Sequence, residues 1–178
     1  MGQAWQRHLA RHSAQRPSIS FRAINRRGDP DYDPSLQRHH LLPRELLKRS
    51  CFSRMFDHIG RRQVGFDDFR RNGLLLPASE SSVLRIGLPL HRGPHRNYNA
   101  MVIERVGSIE LSWSEDQLTD PREAMEDALF RLSLLQNALR KRLLSGRRRL
   151  TLNRKDPLGT GFDLTTLDAM AEELWNAS

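Results

Sequence analysis

A single cysteine stands in this chain of 178 residues. Cys51 therefore has no partner for an intrachain disulfide and no companions for a cysteine-based zinc site. Any metal must be held by histidine, carboxylate or amide oxygen. Long apolar runs are missing as well. Nothing in the sequence approaches the roughly 20 residues that cross a bilayer, so no membrane partner is expected. Residues Met1 to Ser20 carry Arg7, Arg11 and Arg16 without an unbroken apolar stretch, which argues against a cleavable signal peptide. The expected location is the cytoplasm, or outside the cell by a route that leaves no such mark. Acidic side chains are in deficit: 21 Asp plus Glu against 29 Lys plus Arg leave +8 and a pI near 10.8. That surplus favours a polyanionic partner, nucleic acid above all, although solubility alone is the plainer explanation.

Read along the chain, the length suits one domain with extensions. Ala4 to Gln15 is loosely helical and ends at Pro17, and Arg26 to Ser35 (RRGDPDYDPS) is turn chemistry throughout. Leu36 to Pro43 reads as an extended segment that sends His39 and His40 to opposite sides. Arg44 to Ile59 places Leu46, Leu47, Cys51, Met55 and Ile59 at helical spacing, with Gly60 at the stop. Leu74 to Leu76 forms a second short strand ended by Pro77, and Ala78 to Leu90, with its serines, reads mostly as loop. Pro94 suits the first turn of a helix carrying Tyr98, Met101, Val102 and Val106, with His95 in that turn and His91 just before it.

Asp120-Pro121-Arg122-Glu123 opens a second long helix with an N-cap, Pro at N1 and Glu at N3. Its apolar stripe is Met125, Leu129, Leu132, Leu135, Leu139 and Leu143, and Ser145-Gly146 ends it. Arg140, Lys141, Arg142, Arg147, Arg148, Arg149, Arg154 and Lys155 follow with no acid among them, which suits the helix dipole and offers phosphate contacts. Leu167 to Trp175 is expected to be a short acidic helix.

Four of the seven histidines fall into two tight pairs, His39-His40 and His91-Arg92-Gly93-Pro94-His95. Phosphodiester hydrolysis needs a cation on the phosphate and a neutral imidazole to take a proton from water. Adjacent residues of an extended segment face opposite ways, so one imidazole of the first pair can serve a metal and the other the water. His58 reads as a helix C-terminal cap, and His8 and His12 stand apart.

The order His39-His40-Leu41-Leu42-Pro43, then Asn72-Gly73-Leu74-Leu75-Leu76-Pro77, then His91-Arg92-Gly93-Pro94-His95 and Tyr98 resembles the ββα-metal nucleases of the HNH/endonuclease VII superfamily, AHH branch. The likeness runs from about Arg38 to Val106. It implies an α+β protein with a ββα-metal (His-Me finger) core at residues 36–110, an N-terminal extension at 1–35 and a C-terminal helical extension at 111–178. It implies His40 as general base, His39, His91 and His95 as ligands of one divalent metal ion, and Asn72 as the brace of the loop holding the base. Zinc, magnesium and manganese all remain open, three imidazoles suiting zinc best. Arg38 stands where the branch usually has alanine; with Arg71, Arg92 and Arg96 it is a candidate for phosphate contact. The implied activity is a metal-dependent endonuclease acting on nucleic acid, DNA before RNA. The implied settings are a bacterial toxin held in check by an immunity protein, an intracellular nuclease or a phage-derived enzyme. The competing reading is a noncatalytic nucleic-acid-binding module whose histidines hold a structural metal.

Overall fold

The computed structural model describes residues 17–146, 150–153 and 155–158. The expected helices at Ala4 to Gln15 and Leu167 to Trp175, and Arg147, Arg148, Arg149 and Arg154 of the basic run, lie outside them. The protein is α+β: one antiparallel pair of strands, β1 (Leu36–His40) and β2 (Gly73–Pro77), against a set of helices. His40 pairs with Gly73 and Leu36 with Pro77. Along β1 only His39 is buried, with Gln37 and Arg38 exposed and His40 half-buried, so His39 faces inward and Arg38 outward. Gly73 is a strand residue here and not a turn residue. A Cβ on it would lie 2.2 Å from the Phe69 ring, so the close packing of that ring on the strand demands glycine.

Between the strands come a 3-10 turn, Arg44–Lys48, and three helices, α1 (Ser50–Ile59), α2 (Arg61–Val64) and α3 (Phe69–Asn72). The single helix expected over Arg44 to Ile59 is thus split. Arg49 is extended (φ −86, ψ 121), and restarting the helix after it rotates Phe52, Met55, Phe56 and Ile59 into the core. Cys51, expected on the apolar face, is exposed. Leu41, Leu42 and Leu46 are fully buried, and their packing against this face takes precedence over helical continuity.

The serines of the expected loop at Ala78 to Leu90 prove to be a helix start. Ser79 accepts the Ser82 amide proton and caps α4 (Glu80–Ile86), which Gly87 ends in the left-handed conformation (φ 75). The first long helix, α5 (Arg96–Asp116), begins later than Pro94 suggests: His95 sits at the N-cap position with φ −97 and ψ 55. The second, α6 (Pro121–Leu144), starts where its capping sequence predicts, Asp120 accepting from the amides of Arg122 and Glu123. Its most buried line is Ala124, Ala128, Leu132, Gln136, Leu139 and Leu143, while Met125, Leu129 and Leu135 lie at the edge. Small residues at Ala124 and Ala128 let α6 approach its neighbours closely. One apolar core continues from Leu41 through Phe56, Trp113 and Leu139 to Leu152. Among the described residues no helix is long and apolar enough to cross a membrane.

Candidate active site

Three imidazoles meet beside the sheet. His39 comes from β1, while His91 and His95 come from the loop leading into α5. One ligand nitrogen of each lies within 4.8 Å of the others. Ring centroids are 5.0 Å apart for His39 and His91, 5.6 Å for His39 and His95, and 4.5 Å for His91 and His95.

The surroundings decide which nitrogens are available. His91 Nδ1 lies 3.1 Å from Gln37 Oε1 and His95 Nδ1 lies 3.3 Å from the Leu152 carbonyl oxygen, so each Nδ1 donates and each Nε2 keeps its lone pair. Nε2 of His39 is buried with no hydrogen-bond partner. A buried polar atom in that state calls for an occupant, and a cation shared with the other two imidazoles satisfies it. The donor set therefore fits a divalent transition metal, zinc most readily.

Burial and the neighbouring His91 and His95 charges hold His39 well below the ordinary imidazole range. Burial and His95 push His91 down to about 4, and burial lowers His95 against the opposing pull of the Leu152 carbonyl. All three are neutral at pH 7, the form that ligates a metal.

His40 occupies the opposite face of β1. Its ring stacks on Phe21 at 3.8 Å between centroids and 3° between planes. Its Nε2 is buried without a hydrogen-bond partner. Burial, followed by the nearby Arg44 cation, lowers this imidazole to about 4. His40 is near enough for its charge to disfavour protonation of both His39 and His91.

The backbone that follows His40 is tied on three sides. Leu41 donates its amide to the Asn72 carbonyl at 2.8 Å and accepts from the Tyr98 hydroxyl at 2.7 Å. The fully buried Asn72 side chain accepts from the Leu42 amide (2.7 Å) and donates to the carbonyls of Leu42 and Phe66 (3.1 Å each). From α6, the Gln136 amide lies 3.4 Å from Asn72 Oδ1 and donates to the Val64 carbonyl at 3.3 Å. Tyr98 also sets its ring edge-on against His39.

The four arginines expected at phosphate divide into two groups. Arg38 donates to the Phe21 carbonyl (2.8 Å), and Arg71 to the Gln63 carbonyl (2.6 Å). Arg92 and Arg96 are exposed beside the ligands, and neither makes an ion pair among the described residues. Arg96 lines a cleft of about 290 Å³ with Glu45, Arg49, His95 and Asn99. The basic run of α6 is less open to phosphate than its composition suggests. Arg140 caps the Arg70 and Arg71 carbonyls at 2.7 and 3.3 Å, and Arg142 is buried.

A profile described as a nuclease family of the HNH/ENDO VII superfamily with conserved AHH matches residues 20–139, two thirds of the chain. The chain belongs to this AHH nuclease family. No curated protein and no solved structure gave a match. Arg38 takes the place of the alanine in the family's name, on the outward face of β1, where its guanidinium ties the strand to Phe21.

Sequence reasoning passed over Phe21, Gln37, Gln136 and the Leu152 carbonyl, all of which touch site residues of this AHH nuclease. Gln37 alone carried a local signal: it stands two residues before His39 and so shares its strand face.

Four imidazoles depressed together make the metal-free AHH protein acid-sensitive. Unfolded histidine binds a proton near pH 6.5, whereas folded His40 and His91 refuse it until about pH 4 and burial lowers His39 and His95 as well. The unfolded state therefore takes up more protons within that window, and stability falls as pH drops through it. Thermal melts with a chelator present should show Tm level above pH 7 and declining from about pH 6.5 to 5.5, where carboxylates are still largely ionised. A level Tm across that interval would contradict the burial of these rings.

Proposed function

We propose that this AHH nuclease is a metal-dependent endonuclease that hydrolyses the phosphodiester bonds of DNA. The observation that carries the reading is the pairing of two unlike histidines on neighbouring residues. His39 turns a buried, unpartnered nitrogen toward His91 and His95, and His40 turns the other way. A divalent cation held by His39, His91 and His95 supplies charge neutralisation at the phosphate and stabilisation of the leaving alkoxide. His40 takes the proton of the attacking water, its ring fixed by the Phe21 stack. Asn72 and Tyr98 keep the strand end from drifting by holding Leu41 and Leu42. Arg92 and Arg96, unpaired beside the ligands among the described residues, position the phosphate through their guanidinium forks.

The rival, a closed structural site, calls for four protein ligands. Among the described residues the cluster has three, which leaves a coordination position for water or substrate. Supercoiled plasmid incubated with the purified protein and a divalent metal should be nicked and linearised. Chelator should stop the reaction and added metal restore it. Intact plasmid in every metal condition would refute the reading, and faster cutting of a matched RNA would reassign the polymer.

A further inference from the structure

The loop that carries two of the three ligands has few ties of its own. It runs from Leu90 through His91 to His95, and on the side of the sheet it is held by the His91 amide donating to the Pro77 carbonyl at 2.7 Å and by His91 Nδ1 donating to Gln37 Oε1 at 3.1 Å. Its other anchors come from far along the chain. Leu152 presents its carbonyl to His95 Nδ1. Asn153 donates its side-chain amide to the Arg92 carbonyl. Asp156 is 7% exposed and accepts the Leu90 amide proton on Oδ2 at 2.9 Å.

These three residues form a pre-tied unit. Asp156 Oδ1 accepts from the Leu158 amide (3.0 Å), Asn153 Oδ1 from the Lys155 amide (2.9 Å), and the Asp156 amide donates to the Asn153 carbonyl (3.1 Å). Leu150 and Leu152 are 2% and 4% exposed and fasten the unit to the core.

We infer that Asn153 and Asp156 are positioning residues for the metal ligands: the segment formed by 150–153 and 155–158 clamps the His91–His95 loop in its ligating geometry. The segment lies beyond residue 139, where the family match ends. The physical case is one of arrangement. A ligand loop free to move pays ordering entropy each time it binds a cation, and groups that orient the ligands in advance are usually worth a factor of 10 to 100 in metal affinity. Asp156 and Asn153 act on the backbone on either side of His91, and Leu152 fixes the rotation and tautomer of His95. A buried carboxylate spent on two backbone amides, with no cation partner among the described residues, is explained by that task.

The inference rests on the proposed metal site, and the test separates the two. Zn²⁺ affinity is measured on the full chain by competition with a chromophoric chelator, and Co²⁺ ligand-field absorption reports the coordination geometry. The Asn153→Ala/Asp156→Ala double variant should bind Zn²⁺ at least 10-fold more weakly than the parent, with an altered Co²⁺ band and a folded metal-free state by circular dichroism. Asp156→Asn, which keeps one acceptor oxygen, should fall between them. If the double variant fails to fold, Asn153→Ala alone, at a half-exposed position, decides the matter with the same readouts. Affinity within twofold of the parent and an unchanged Co²⁺ band would overturn the clamp and leave the metal site standing. A parent chain that takes up neither ion would overturn both.

Discussion

Replacing His40 by alanine is expected to leave supercoiled plasmid almost uncut while the protein still takes up its metal. Loss of a positioned general base typically costs about 100- to 10,000-fold in rate. The metal should be unaffected because His40 lies across β1 from the His39, His91 and His95 cluster and contributes no nitrogen to it. The substitution removes a ring stacked on Phe21 but leaves the backbone pairing of His40 with Gly73 in place, so the fold should survive. His39→Ala makes the contrasting case, since it should lose metal and cutting together. The measurement is nicking rate beside metal content for each variant. A His40→Ala protein that cuts at the parental rate would refute the role given to this residue.

The largest expected effect on stability belongs to Asn72→Ala. The side chain is fully buried and serves the Leu42 amide and the carbonyls of Leu42 and Phe66, with Gln136 beside its oxygen. Alanine would strand those backbone groups where water cannot reach them. At about 1–3 kcal/mol for each buried group left unsatisfied, the expected loss is about 3–5 kcal/mol. That is a large part of the roughly 5–15 kcal/mol that holds a typical domain together. Asn72→Asp should do no better, because a carboxylate would face the Leu42 and Phe66 carbonyls in place of a donor. Urea denaturation at pH 7 checks both variants. A midpoint shift worth less than about 1 kcal/mol would mean that the site relaxes around the missing amide.

How much of this was legible in the sequence depended on how local the cause was. Asp120-Pro121 announces the start of α6 because a cap and a proline act within one turn. The extended form of β1 was equally plain: it sends His39 and His40 to opposite faces, and the order of the histidine pairs pointed to the family that the match shows. The break at Arg49 was invisible because it answers to the burial of Leu41, Leu42 and Leu46, a tertiary demand that helical spacing does not record. Ser79 was readable in principle as a cap, but no long apolar period follows it, since α4 buries chiefly Ser82 and Val83. Least accessible were the contacts that finish the site. Gln136 reaches Asn72 across 64 residues and Leu152 reaches His95 across 57, and residue type alone does not say that they meet.

The lone thiol of the chain lies on the solvent side of α1, at its second residue. A maleimide dye would therefore attach at one defined point of the native protein. Fluorescence anisotropy could then follow the capture of an oligonucleotide with every histidine of the site left untouched.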